Sequence, residues 1–203
     1  MAKRADYSGE EALAARARRE GYAARSVYKL EELDRRFRLL RGGLRVLDLG
    51  AAPGSWSQFA LRRIGPKGLL VSVDRNEITA ALPGAVRLRG DVFELQFDDL
   101  AEHSSGRVPP FDLILSDMAP STTGVPLADH VASVELCQRA LELARKFLRP
   151  GGGLVVKVFQ GEDEPLLRKE LKVCFQALKS MKPKATRSQS VETFLVATGF
   201  RGS

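Results

Sequence analysis

The segment that most constrains the fold lies at residues 44–64. Leu44-Arg45-Val46-Leu47-Asp48-Leu49 has the apolar character of a buried strand, Gly50-Ala51-Ala52-Pro53-Gly54 breaks it, and a helix follows from about Ser55 to Ile64. Strand, glycine turn and helix in immediate succession open a doubly wound α/β domain. The pattern predicts further strands at Gly68–Val73, Ala85–Leu88, Phe111–Ser116 and Gly153–Phe159, with helices near Phe93–Ala101 and Ala128–Leu148. Such alternation requires a mainly parallel sheet covered on both faces. After Phe159 the spacing predicts a helix over Glu164–Ser180, a short extended piece near Lys184 and a strand at Phe194–Thr198. That ending suggests a closing hairpin with an antiparallel strand, and Ser104–Pro110 reads as a loop.

Ahead of the first strand, Glu10–Glu20 and Ser26–Phe37 read as helices. The second carries Val27, Leu30, Leu33 and Phe37 at helical spacing, with Ser26 as its expected N-cap. Residues 1–40 are therefore expected to form a helical basic arm packed on a main domain spanning 41–203.

With 203 residues, 44% of them hydrophobic and 28% charged, one core can form without staples. No apolar run approaches the roughly 18 residues a membrane helix needs, which excludes a membrane span. Residues 1–20 lack the apolar stretch of a secretory signal, and Cys137 and Cys174 offer neither a disulfide framework nor metal-ligand spacing. The expectation is a cytoplasmic protein with no metal site and no obligate protein partner. The net charge of +7 is unevenly spread. Residues 1–45 hold 12 Lys/Arg against 7 Asp/Glu, residues 46–165 hold 12 against 16, and residues 166–203 hold 8 against 2. If the fold brings both ends onto one face, that face attracts a polyanion; otherwise they are solvated helices.

Ligands of open α/β sheets bind beyond the carboxyl ends of strands. Here those ends are acidic: Asp48, Asp74, Asp91 in Gly90-Asp91, and Asp117 in Ser116-Asp117-Met118-Ala119-Pro120. The turn lacks the G-x-G-x-x-G that seats a pyrophosphate, which disfavours a dinucleotide. An acid closing the second strand suits a ribose diol, and a later acid suits an adenine amino group. The pattern fits the nucleoside of S-adenosylmethionine. Taken singly, Asp48 could cap the next helix and Asp91 could be a turn residue.

Three segments in order, Asp48-Leu49-Gly50-Ala51-Ala52-Pro53-Gly54-Ser55-Trp56-Ser57-Gln58, Ser116 to Pro120, and Val155-Val156-Lys157-Val158-Phe159-Gln160-Gly161, closely resemble the motifs of the FtsJ/RrmJ family of S-adenosylmethionine-dependent RNA ribose 2′-O-methyltransferases. The similarity runs from about Gly21 to Gly199. It implies a Rossmann-like methyltransferase fold with a mainly parallel seven-stranded sheet, a C-terminal antiparallel strand, and helices on both faces. The family's catalytic signature Lys-Asp-Lys-Glu matches Lys29, Asp117, Lys157 and Glu192. By the same resemblance Gly50, Pro53, Gly54, Trp56, Asp74, Asp91 and Asp117 border the cofactor, Asp74 on the ribose and Asp91 near the adenine.

A ribose 2′-hydroxyl is a very weak acid, so in-line attack on a sulfonium methyl needs a group that takes its proton as the bond forms. Lys157 is the candidate base, with burial and the second cation Lys29 favouring the amine, and with Asp117 holding it in place while opposing that effect. Lys29 and Glu192 would orient the ribose or balance charge. Alternatively Lys157 stays protonated and stabilises a developing alkoxide.

Two departures bear on the substrate. Bacterial large-subunit enzymes of this family carry Arg-Ser-Arg before the glutamate, whereas Gln189-Ser190-Val191 stands here. Lys182 to Arg187 with Glu192-Thr193-Phe194 is closer to archaeal and eukaryotic members, some of which modify tRNA. Ser116 to Pro120 followed by Thr123-Gly124 instead sides with the large-subunit enzymes, whose bacterial target is a 23S uridine, and this favours ribosomal RNA over tRNA. A non-catalytic assembly factor would be expected to have lost a tetrad lysine or the cofactor glycines, and neither is lost. A base-amino methyltransferase would carry a second proline and an aromatic where Met118-Ala119-Pro120 stands.

Overall fold

The computed structural model describes residues 2–96, 110–187 and 189–202, with side chains from residue 9 onward. Two helices, α1 (Ala2–Arg19) and α2 (Val27–Phe37), precede the sheet. Then follow β1 (Arg45–Leu49), α3 (Ser55–Ile64), β2 (Leu69–Asp74), β3 (Val86–Arg89), β4 (Phe111–Ser116), α4 (Pro126–Phe147), β5 (Leu148–Phe159), α5 (Glu164–Cys174), β6 (Phe175–Met181) and β7 (Glu192–Phe200). The seven strands lie in the order β3-β2-β1-β4-β5-β7-β6. β1 pairs in parallel with both β2 and β4, so the connection reverses direction between them and opens a crevice at their carboxyl ends. β7 runs antiparallel to β5 and β6, the one reversed strand of the sheet.

Strand alternation divides the core in two. Val46, Leu70, Leu113, Leu115, Val155, Phe194 and Val196 face the layer formed by Leu30 and Leu33 of α2 and Trp56, Ala60 and Ile64 of α3. Leu47, Leu49, Val71, Ile114, Leu154, Val156 and Val158 face Val134, Cys137, Leu141 and Phe147 of α4 with Leu167 and Leu171 of α5. Both faces are thus covered, as the near-continuous apolar strands require.

Several local expectations are corrected. The helix expected over Glu164–Ser180 ends at Cys174, where Phe175 turns extended (φ −124°, ψ 153°) and begins β6. Leu167, Leu171, Phe175 and Leu178 prolong a helical stripe in the sequence, but pairing with β7 supplies the backbone hydrogen bonds instead. The residues near Lys184 form a turn, closed by Thr186 N–H donating to Pro183 O at 3.0 Å, rather than an extended piece. Ser26 stands at the N-cap of α2 as expected, but with helical backbone angles and no capping bond from its side chain; its hydroxyl pairs instead with that of Ser55 at 2.8 Å and ties α2 to α3. β5 begins five residues earlier than expected, at Leu148, and β7 extends beyond Phe194–Thr198 at both ends. Of the helix expected near Phe93–Ala101, residues 93–96 are turn and irregular, and 97–101 lie outside the described residues, as does the loop Ser104–Pro110 apart from Pro110.

Candidate active site

A cavity of about 400 Å³ opens at the carboxyl ends of β1, β2 and β4, the size of a small-molecule pocket. Gly50, Ala52, Asp74, Asp91, Asp117 and Met118 are among its walls, with Ala132, Glu135 and Leu136 of α4. Asp74 Oδ2 accepts the Ala52 N–H at 2.9 Å and Oδ1 the Asn76 N–H at 2.7 Å, so this carboxylate holds the glycine turn and keeps further lone pairs for a ligand. Asp91 Oδ1 accepts the Phe93 N–H at 3.0 Å. Gly50 has φ 74°, and a Cβ there would lie 2.9 Å from the backbone N and Cα of Met118. Glycine at 50 therefore lets the turn pass against the end of β4.

Pro53, Gly54 and Trp56 are not among the lining residues. Pro53 O accepts the Ala80 N–H at 3.0 Å. A Cβ on Gly54 would lie 2.5 Å from that of Ala80. Trp56 is buried, donates through Nε1 to Ser26 O at 2.9 Å and packs against Phe194 with ring centroids 5.6 Å apart and planes tilted by 31°. Asp48, at a strand end like the other three acids, is fully buried beneath α3, where Oδ2 accepts from Ser57 Oγ at 2.6 Å. Burial, with Asp117 and Asp74 nearby, pushes its carboxyl up to about 7 against the Ser57 bond.

The four tetrad residues come together as two ion pairs. Lys157 Nζ lies 2.9 Å from Asp117 Oδ1 and donates to Asp117 O at 2.8 Å. Lys29 Nζ lies 2.5 Å from Glu192 Oε1. The strand register explains their proximity: Lys157 is opposite Phe194 and Phe159 opposite Glu192, so Lys157 and Glu192 are diagonal neighbours on one face of the sheet. Lys29 reaches across from α2 with Nζ 5.9 Å above the Phe194 ring. Burial opposes the charge on Glu192, but Lys29 and, more distantly, Lys157 hold its carboxyl below the usual glutamate range.

The sequence reading missed the groups that hold these side chains in place. β4 pairs with β5 only as far as Val156, so beyond it the edge of β5 opposite β7 has no strand neighbour. Three residues on one face of α4 fill the gap. Cys137 Sγ donates to Lys157 O at 3.0 Å, Ser133 Oγ accepts the Phe159 N–H at 3.1 Å, and His130 Nδ1 meets Phe159 O at 2.8 Å. His130 Nε2 accepts the Asp163 N–H at 3.1 Å, which assigns the ring proton to Nδ1. Burial lifts the Cys137 thiol to about 12, so it serves as a neutral donor. Farther along α4, Arg139 donates to Val92 O and Leu95 O at 2.9 and 3.2 Å and secures the loop after Asp91. The signal for these residues was a stripe of His130, Ser133 and Cys137 at helical spacing on the helix expected over Ala128–Leu148.

The two basic ends also meet. Glu10 of α1 pairs with Arg187 at 2.6 Å and with Arg25 at 3.3 Å, joining the first helix to the β6–β7 loop. Among the described residues no His, Cys, Asp and Glu cluster could hold a metal ion, and no helix is long and apolar enough to cross a membrane.

Comparison with known proteins agrees with this geometry. The model of the FtsJ-like methyltransferase family matches residues 22–200. A protein named ribosomal RNA large subunit methyltransferase E from Bdellovibrio bacteriovorus is 47% identical over 182 residues, 89% of this chain and 92% of the relative. Its namesake from Sorangium cellulosum is 48% identical over 191 residues, 94% of this chain and 88% of that one. A crystal structure described as a ribosomal RNA methyltransferase from Plasmodium falciparum superposes with a TM-score of 0.78 at 28% identity, covering 90% of this chain and all of the other. Fibrillarin from Aeropyrum pernix, solved with S-adenosylmethionine, shares the fold at a TM-score of 0.55 and 19% identity, over 79% of this chain and 68% of its own. With nearly its whole length matched and both ion pairs assembled at the strand ends, the chain belongs to the FtsJ-like methyltransferase family.

Proposed function

We propose that this protein transfers the methyl group of S-adenosylmethionine to a ribose 2′-hydroxyl of large-subunit ribosomal RNA, at a uridine, in the cytoplasm. The observation that carries the reading is the pair of ion pairs, Lys157–Asp117 and Lys29–Glu192, standing together beside an acid-lined cavity. The cavity's donor set suits the cofactor: Asp74 has free lone pairs for the ribose hydroxyls, and Asp91 suits an amino group on the base. S-adenosylmethionine, when bound, supplies a sulfonium methyl open to attack.

The chain's own residues then handle the acceptor. Asp117, through its carboxylate and its carbonyl, fixes Lys157 Nζ at two of its bonding positions and leaves the third for the hydroxyl. Lys157 takes the hydroxyl proton as an amine or, as an ammonium, stabilises the developing alkoxide while the proton passes to water. Glu192, tied to Lys29, orients the ribose and balances the cations. The joined basic ends, residues 1–40 and the β6–β7 loop, form the RNA-facing side of the catalytic domain spanning 41–203. The names of the 47% and 48% identical relatives support ribosomal RNA as the acceptor.

The test is single-turnover transfer of labelled methyl to isolated large subunits, to tRNA and to protein, with alkaline resistance of the labelled linkage as the mark of a ribose ether. Lys157→Ala is expected to leave cofactor affinity intact and slow transfer by roughly 100-fold or more. Label entering only tRNA would move the substrate assignment, and no label in any RNA would leave a binding factor.

A further inference from the structure

α2 carries two acids next to each other, and the structure gives them different tasks. Glu32, one turn after Lys29 on the same helix, reaches the β6–β7 loop and accepts two consecutive backbone N–H groups, Lys184 at 2.9 Å on Oε2 and Ala185 at 3.0 Å on Oε1. Both oxygens of one carboxylate are thereby committed to a single turn, the one closed by Thr186 N–H and Pro183 O. Charged acceptors on backbone donors are among the stronger hydrogen bonds of proteins. The next residue in the turn, Thr186, is buried, and beyond it Ser190 donates its N–H to Arg187 O at 3.0 Å while Ser190 Oγ accepts the Glu192 N–H at 3.2 Å, which ties the loop to Glu192. Glu192 in turn meets Lys29. Helix, turn, Ser190, Glu192 and Lys29 thus form a closed circuit, with α2 at both ends.

We infer that Glu32 is a positioning residue: by gripping the 184–185 turn it sets the place of Glu192 opposite Lys29 and so completes the lysine-rich half of the site. This rests on the methyltransferase reading above. The neighbouring Glu31 lies 3.9 Å from Arg16 at the surface and has no part in the circuit. A purely structural role for Glu32 would stabilise the loop without touching the state of Glu192. A second tie, Arg187 to Glu10, keeps the loop attached when Glu32 is altered.

The experiment uses the full chain and two variants, Glu32→Gln, which is isosteric but replaces one acceptor by an amide donor, and Glu32→Asp, which keeps the charge on a shorter arm. Three readouts are taken: amide hydrogen exchange at Lys184 and Ala185, the carboxyl carbon titration of Glu192, and single-turnover methyl transfer to isolated large ribosomal subunits. Exchange at both amides is expected to accelerate roughly tenfold or more in Glu32→Gln, in line with losing a charged hydrogen bond. The Glu192 titration is expected to move upward toward the ordinary glutamate range. Transfer at saturating RNA is expected to fall roughly tenfold with cofactor affinity unchanged, and in a Glu192→Gln background Glu32→Gln should cause no further loss. Glu32→Asp should recover part of each effect. Unchanged Glu192 titration in a folded Glu32→Gln protein overturns the proposal, as does a rate loss that adds fully to that of Glu192→Gln. If the wild-type protein transfers no methyl to the subunits, the functional reading fails, while exchange and titration still decide the role of Glu32.

Discussion

Asp48 is expected to make the stability of this protein fall as pH rises from about 4 to about 7, and Asp48→Asn isolates the effect. In the folded chain its carboxyl titrates at about 7 because it is wholly buried, with Asp117 and Asp74 adding like charge, against 3.8 for the ordinary group. The folded state therefore binds the proton more tightly than the unfolded chain does. Its stabilising contribution is complete below about pH 4, falls steadily as pH rises from there, and is gone above about 7. A difference of about three pKa units corresponds to about 4 kcal/mol at 1.36 kcal/mol per unit. Asn cannot ionise, so it escapes this loss but carries a constant offset. Ser57 still has an oxygen to donate to, whereas the Oδ1 position, buried without a hydrogen-bond partner among the described residues, would receive an unsatisfied amide costing roughly 1–3 kcal/mol. Urea unfolding of both proteins from pH 4 to pH 8 should show the variant gaining on the wild type by about 4 kcal/mol across that window. A stability difference that stays flat over the window would refute an ionisable, proton-hungry Asp48.

Asp74→Ala should weaken S-adenosylmethionine binding by about 1–3 kcal/mol in calorimetry, since it removes a ligand acceptor and also releases the Ala52 N–H of the glycine turn. Gly50→Ala should cost roughly 1–3 kcal/mol of unfolding free energy, because a φ of 74° and contact with the Met118 backbone combine at that position; an unchanged melting temperature would contradict it. Neutralising Arg35 in the arm, or Lys182 and Lys184 at the other end, should lower RNA affinity and flatten its salt dependence; identical slopes would reduce the charge asymmetry to a solubility feature. Lys157→Arg should be nearly as slow as Lys157→Ala if the amine is the base, and the wild-type single-turnover rate should rise with pH; a near-normal arginine variant would assign a cationic role.

How much of this could be read from the sequence depended on whether the deciding interaction was local. The β1–α3 turn was legible because Gly50 and Gly54 adopt positive φ angles that few other residues tolerate. The acids at the ends of β2 and β4 were legible because a strand end is marked by the loss of apolar alternation. The α5–β6 boundary was not, since Leu171, Phe175 and Leu178 satisfy a helical period and only the distant β7 turns them into a strand. Asp48 looked like its fellow acids, yet one residue of alternation sends it under α3 with Ser57 and Ser72. Glu32 was invisible: its partners lie 152 and 153 residues away and are backbone groups, which carry no sequence signal of their own.

The same logic explains why the site needs both helical layers. Lys157 follows Val155 in the two-residue alternation of β5, so its side chain belongs to the face of α2 and α3, where Phe194 and Lys29 stand. Its carbonyl, however, points along the sheet toward the space that β4 vacates, and there it is held by Cys137 of α4. A strand that ended with β4 would leave no Phe159 opposite Glu192 and would lose the diagonal that brings the two ion pairs together. A strand that outran β4 without α4 behind it would carry unpaired backbone groups at the very residue that must be fixed. Extending β5 beyond its neighbour thus creates the juxtaposition of the two ion pairs and the unpaired edge at once, and the polar stripe of His130, Ser133 and Cys137 resolves the second without disturbing the first.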